Sequence, residues 1–390
     1  MAVRPPILIA GGGIGGLAAA LALAKIGMPV EIIERSPRHQ QVGAGIQLGP
    51  NGVKILRRLG VGDAVAATAS APEALEVRRG SNGRLLCRVP FGTDIERRHG
   101  APYWVSHRAD LHRALAGATR DNPLITSTMG CEIDAVAISE DGLVGITFSD
   151  GTSRRAPAVI GADGLWSRIR STVAPDIALE PSGYGAYRTL IPFEQAGVLA
   201  RQVVGAWLSP KAHVVHYPVS AGREINVVVI TRDDWSDIGW NSPADAAAIL
   251  AAVDGFAPSL VRSIAAAQTW HKWSLPKPVA LPTWSRGPIA LLGDAAHPML
   301  PFFAQGGVMA LEDADALAVA VSADPDDLPK AFRAYAAHRM PRAGRVQAAS
   351  STNGYIFHLA GPAALARDLA LRALPPGAFL ARLDWLYGYE

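Results

Sequence analysis

Apolar and polar positions alternate along this chain with three different rhythms. Near the start, Ile7 to Ala10 is a short, wholly apolar run of the kind that suits a strand buried on both faces. Ala18 to Lys25 is rich in Ala and Leu, which are strong helix formers. Gly27 stops that helix, and "VEIIE" (Val30 to Glu34) begins a second strand, so the opening reads as a β-α-β unit. From about Ala174 to Leu281 short β-branched runs alternate with turns instead. "AYRTLIPF", "GAWLSPKAHVVHYPVS" and "REINVVVITRDD" predict strands of an antiparallel sheet. After Gly307 the period becomes helical. "GVMALEDADALAVAV" predicts one helix, "AFRAYAAHRMPRAGRVQAAS" a helix with a solvated basic face, and "PAALARDLALRAL" a helix packed on the N-terminal layer. The expected class is α/β, with an inserted mixed or antiparallel sheet and a helical C-terminal region.

Composition narrows this picture mainly by exclusion. The 390 residues suggest two domains, and 49% hydrophobic residues can fill a large core. The formal charge of +3 and the lack of a Lys/Arg block argue against a nucleic-acid partner. Two cysteines, Cys87 and Cys131, have no metal-ligand spacing, so neither a metal site nor a disulfide framework is expected, and a reducing cytoplasm fits. Pro5 to Ala24 is uncharged over twenty positions, the length of a membrane span. Five glycines in its middle and no basic lead-in make it a strand, turn and helix rather than a membrane partner or secretion signal.

The glycines carry the first chemistry. In Gly11-x-Gly13-x-x-Gly16, Gly11 permits a tight turn, Gly13 lets a pyrophosphate approach bare backbone, and Gly16 lets helix and strand pack closely. The helix N-terminus then offers free N–H groups and partial positive charge to phosphates. Glu34 follows Gly13 by twenty-one positions, where its carboxylate can accept from a ribose. Gly15 and Arg35, beside these residues, join the expected cofactor contacts. The motif alone does not separate FAD from NAD.

Three further stretches do. "GAGIQLGPNG" (Gly43 to Gly52), "VSHRADLHRAL" (Val105 to Leu115) and "VIGADGLWSRIR" (Val159 to Arg170) join "LLGDAAHP" near Gly293 in a pattern spread over nearly the whole chain. It resembles the FAD-dependent aromatic hydroxylases, the single-component flavoprotein monooxygenases, such as salicylate hydroxylase, 3-hydroxybenzoate 6-hydroxylase and 6-hydroxynicotinate 3-monooxygenase. The resemblance implies a glutathione-reductase-type, Rossmann-like FAD-binding domain from residues 1–67, 105–173 and 282–320. It implies a substrate-binding sheet domain from 68–104 and 174–281, and a helical region, 321–390, on the FAD domain. Arg108 then looks like the arginine at the FAD pyrophosphate or ribityl chain. Asp163 of the Asp-Gly pair looks like a residue tied to FAD and NAD(P)H. Asp294 would bond the ribityl hydroxyls, and Cys131 would meet the adenine region through its backbone. Gly306 and Gly307 would offer helix N–H groups to the flavin's pyrimidine edge, where the reduced ring is negative. His297 belongs to the same flavin-side turn and is expected to be structural.

"KAHVVHYPV" holds the substrate candidates. In a strand His213 and Tyr217 share one face and His216 points to the other. The resemblance puts His213 and Tyr217 in the active site, with Gln47 near flavin and substrate. Pro301 and Phe303 would line the pocket; proline at 301 has no side-chain donor, which favours a salicylate-type pocket over one for 3-hydroxybenzoate. The implied reaction uses bound FAD, transient NADH or NADPH, and molecular oxygen, and attacks a phenolic aromatic acid through a flavin C4a-hydroperoxide, with decarboxylation open. His213 would be the general base and Tyr217 would orient the phenol. A homodimer is common among such proteins. The alternatives are a hydroxylase or epoxidase of a larger aromatic natural product, a non-redox FAD-fold binding protein, and a halogenase, whose tryptophan spacing "WHKWSLP" does not match.

Overall fold

The computed structural model describes residues 4–38, 45–232 and 240–389. Gly43, Ala44, Asp233 and Asp234, the ends of two stretches quoted above, lie outside the described residues. The chain begins with β1 (Ile7–Ala10), α1 (Ile14–Lys25) and β2 (Val30–Glu34). Every residue of β1 is buried, which is why its sequence is apolar without alternation. β1 lies inside a six-stranded sheet ordered Ser285–Arg286, Ile289–Leu291, Val159–Gly161, β1, β2, Ile125–Met129. All neighbours in it run parallel except the short Ser285–Arg286 strand. Parallel strands end on one edge, and a crevice beyond those carboxyl ends is where α/β sheets bind ligands. Gly11, Cys131, Asp163 and Asp294 each follow a strand of this sheet, and Glu34 ends one. The fold thus gathers at one edge residues that are far apart in sequence.

α1 is apolar on nearly all sides because it is covered twice, by the sheet and by the helix Gly306–Ala323. The two helices meet where Gly15 has no side chain: a Cβ there would lie 2.7 Å from Leu292 Cδ2 and 3.2 Å from Ala310 Cβ. A second, eight-stranded sheet is ordered Trp240–Ala244, Trp270–Pro276, Pro181–Pro192, Glu224–Arg232, Ala212–Val219, Val204–Leu208, Ala74–Arg79, Leu85–Pro90. It is antiparallel except where Val204–Leu208 meets Ala74–Arg79. The strand β3 (Gly45–Leu48) pairs with Trp104–His107 and bridges the two halves. A three-stranded sheet from Ile133–Ile138, Val144–Phe148 and Ser153–Ala156 was not anticipated from the hydrophobic pattern.

Two expectations about the C-terminal helices need correction. The helix Leu328–Phe357 does not present all its basic positions to solvent: Arg339 is 0% exposed. Its partners explain why. Glu312 and Asp313, inside the helix Gly306–Ala323, are equally buried, and Arg339 bonds Asp313 Oδ1 and Glu312 Oε2, both at 2.8 Å. The helix Gly361–Ala373 packs on the strand Leu85–Pro90 of the eight-stranded sheet, with Asp368 bonded to Arg79 at 2.7 Å, rather than on the six-stranded layer. Its Leu365 and Leu369 remain exposed. Among the described residues no helix is long and apolar enough to cross a membrane.

Candidate active site

The glycine turn has the geometry its spacing predicts. Gly11 has φ +107°, a left-handed conformation, and a Cβ there would lie 2.4 Å from the Ala162 carbonyl oxygen. Gly16 is tighter, its absent Cβ falling 1.9 Å from the carbonyl oxygen of Gly11. Gly13 has nothing within 4 Å of that position, so the backbone beside it is open to a ligand. It also caps α1, whose first N–H groups have no side-chain partner. Glu34 accepts from the N–H of Gly12 at 2.7 Å and of Ser36 at 2.9 Å, which fixes the carboxylate at the turn. Each oxygen keeps a lone pair for a further donor.

The other cofactor candidates divide. Asp294 is half-buried, its carboxylate makes no hydrogen bond among the described residues, and its Oδ1 stands 3.9 Å from the Cβ position of Gly306 at the start of a helix. Arg108 begins the helix Arg108–Arg120, exposed and without an acceptor among the described residues. Asp163 is instead turned back on its own loop, where Oδ2 accepts from the N–H of Arg168 and Ile169, and burial raises its pKa. Its Oδ1 is buried and unpartnered. Cys131 donates its N–H to the Glu34 carbonyl at 3.0 Å. Arg35 is an exposed side chain 4.0 Å from Glu132. Gly307 abuts β3, its missing Cβ falling 2.6 Å from Ile46 Cδ1. Gly15, as described above, serves the crossing of two helices. His297 is sealed against Asp313 at 2.5 Å and is structural.

The eight-stranded sheet turns one face toward β3 and the loop Leu300–Phe302. Register fixes what that face carries. His213 is opposite Ile230, Val215 opposite Val228, and Tyr217 opposite Asn226, so His213 and Tyr217 share it. His216 is on the other face, above Gly205 and near Glu76. Tyr217 packs on Gly45, whose N–H donates to Asn226 Oδ1 at 2.7 Å. Gln47 accepts from the Tyr103 hydroxyl at 2.7 Å. Burial pushes the Tyr217 phenol up, a shift that Arg188 partly opposes.

His213 is 1% exposed and ringed by Phe302, Phe357 and His358. Its Nδ1 lies 3.0 Å from His358 Nε2, and His358 Nδ1 lies 2.8 Å from the Gly354 carbonyl. A carbonyl only accepts, so His358 donates from Nδ1 and accepts at Nε2, and His213 donates from Nδ1. That leaves His213 Nε2 as a bare acceptor, buried and without a donor. Burial, then His358, holds its pKa well below the usual imidazole value, so the ring is neutral at pH 7. Phe302, not Phe303, meets His213; Phe303 lies against Trp385 with centroids 6.2 Å apart. Pro301 is half-buried at the start of the Pro301–Phe303 turn.

Sequence reasoning missed four residues. His358 sits 145 positions from His213, and no local pattern connects them. Arg170 is buried and donates to the carbonyls of Ala295, Leu165 and Asp294, lashing two cofactor-edge loops together. Its signal was available: it closes the stretch "VIGADGLWSRIR". Asn226 and Arg188 were hidden in strands read only for their β-branched neighbours.

Residues 4–350 match the FAD binding domain family, and the chain belongs to it. It is a flavoprotein with FAD as its cofactor, and it falls among the FAD-dependent aromatic hydroxylases. It is 33% identical to a 3-hydroxybenzoate 6-hydroxylase of Polaromonas naphthalenivorans, over 99% of this chain and 96% of that one. It is 36% identical to a 6-hydroxynicotinate 3-monooxygenase of Bordetella bronchiseptica, over 99% and 96%. A salicylate hydroxylase substrate complex superimposes with a TM-score of 0.84 at 26% identity, covering 100% of this chain and 97% of that chain.

Proposed function

We propose that this protein inserts one oxygen atom of O2 into an aromatic ring that carries a hydroxyl and a carboxylate, at the expense of NADH or NADPH. Salicylate-type and 3-hydroxybenzoate-type acids are the first candidates, since the three proteins above are named for rings bearing these groups. Bound FAD supplies the electrons and the activated oxygen. Gly11, Gly13, Glu34, Arg108 and Asp294 would hold it along the carboxyl edge of the parallel sheet, where Gly13 is open and the side chains of Asp294 and Arg108 have no partner among the described residues.

The observation that carries the reading is the donor-less acceptor on the substrate sheet. His213 Nε2 is buried without a hydrogen bond, and a phenol O–H is the donor that would satisfy it. Removing that proton makes the ring electron-rich, which is what an oxygen electrophile needs. The neighbouring His358 holds His213 in the accepting tautomer. Tyr217, two rows along the same face, is placed to orient the hydroxyl. Phe302 closes over His213, so substrate would enter by displacing that ring, and the same apolar wall would keep water out.

The test is NADH oxidation by the purified holoenzyme with salicylate and with 3-hydroxybenzoate, product masses being read in parallel. Stimulated oxidation with a product about 16 Da heavier, the mass of one oxygen atom, or with catechol and CO2 from salicylate, is expected. His213→Gln should keep FAD and lower product formation by about 100-fold or more. Unchanged turnover in that variant removes the base from His213.

A further inference from the structure

Among the described residues, one cation on the substrate face has no anion beside it. Arg188 is in the strand Pro181–Pro192, opposite Val228, which is itself opposite Val215. Arg188 therefore lies across the row between His213 and Tyr217, on their side of the sheet and two strand spacings, about 9–10 Å, from Val215. Its guanidinium is held over the Trp273 ring, 4.8 Å from the centroid. Its Nε is buried with no acceptor, and no hydrogen bond or carboxylate partner reaches any of its donors among the described residues. The residue as a whole is only half-buried, so part of it stays within reach of a small ligand. Among the described residues, the register neighbours of Arg188 on this face include no acid: Ala186, Leu190, Val228, Ile230, His271 and Trp273 surround it.

We infer that Arg188 is the anchor for the carboxylate of the aromatic acid and selects anionic over neutral rings. A planar fork fixed by an indole is the geometry that takes a carboxylate in two parallel hydrogen bonds. An unpaired guanidinium beside a cleft is costly until such an anion arrives. With the carboxylate on Arg188, the ring lies over Val215 and Val228, and its hydroxyl is directed along the row toward His213 or Tyr217. The inference rests on the hydroxylase reading of this cleft and adds the element that chooses the substrate's charge.

The experiment is a titration of the FAD absorbance of the holoenzyme with 3-hydroxybenzoate and with its neutral isostere 3-hydroxybenzamide, and with salicylate against salicylamide. In the wild type the better acid of the two is expected to bind about 30-fold or more tightly than its amide. Arg188→Met should bring acid and amide within about threefold of each other while FAD stays bound, and Arg188→Lys should restore part of the preference. Equal binding of acid and amide by the wild type overturns the inference without any variant. So does an Arg188→Met protein that keeps the full preference, or one that loses FAD while its fold, read by circular dichroism, is intact. A preference that depends on Arg188, in a protein that forms no hydroxylated product from any acid, supports the anchor and sinks the hydroxylase reading instead.

Discussion

Two arginines, Arg339 fully buried and Arg188 half-buried, are treated by the fold in opposite ways. Arg339 lies beneath the helix Gly306–Ala323 with Asp313 and Glu312 on its donors, and Arg342 shares Glu312 at 2.6 Å. Burial alone would lower its pKa, but the two carboxylates raise it above the ordinary arginine value. The same cluster pulls Asp313 down to about 2 against the effect of burial, through His297 and Arg339. Arg188 has no such company, and burial pushes it down to about 10. The first arrangement is closed and holds helices together. The second is open and lacks the group that would complete it. Where a protein buries a charge and leaves it unpaired beside a cleft, the missing partner is best sought among ligands.

The contrast can be broken first at Arg339. Arg339→Met would leave Asp313 and Glu312 as uncompensated buried carboxylates and should cost about 3–5 kcal/mol, read as a lowered urea midpoint at unchanged slope. A loss below about 1 kcal/mol would mean that the cluster is not closed as described. The second test adds a buried charge by protonation. His216 faces Glu76, which Arg78, Arg88 and Arg201 already neutralise at 2.8, 2.6 and 2.9 Å. Burial, then Arg78, pushes His216 down to about 3. Its folded pKa is below the unfolded value near ~6.5, so its contribution is whole above ~6.5 and drains away as the pH falls toward about 3. Between pH 7 and pH 5 the wild type should lose about 2 kcal/mol more than His216→Asn; parallel losses in the two proteins would contradict that burial. The smallest effect is the most pointed. Arg188→Met, in the absence of substrate, should leave stability within about 1 kcal/mol of wild type, because it removes no ion pair or hydrogen bond, and the lost contact with the Trp273 ring is offset by relief of an unpaired charge. A fall as large as that of Arg339→Met would put Arg188 among the structural arginines and end the comparison.

How much of the site could be read along the chain depended on distance. The glycine turn was legible because Gly11, Gly13 and Gly16 act within one turn and one helix start, and each constraint is local. The shared face of His213 and Tyr217 was legible from strand parity, and the register bears it out. The basic helix was misread because Arg339 stands among other basic positions, Arg333 and Arg345, that are exposed; only Glu312 and Asp313, on another helix, make its burial tolerable. Phe303 was preferred to its neighbour as a pocket residue because a tight turn has no simple period, and the turn Pro301–Phe303 sends Phe302 to His213 instead.

The sequence by itself determined the β-α-β start, the phosphate-binding turn, the change from helical to alternating rhythm and the family the whole pattern resembles. These follow from short-range rules: backbone freedom at glycine, strand parity, helix period. Only the tertiary structure decided which charges are paired. It set His358 against His213, closed the acids around Arg339, and left Arg188 without an acid among the described residues of its face. Pairing depends on which strands and helices become neighbours, and desolvation makes that choice energetically large, yet neither is encoded in any one stretch of the chain.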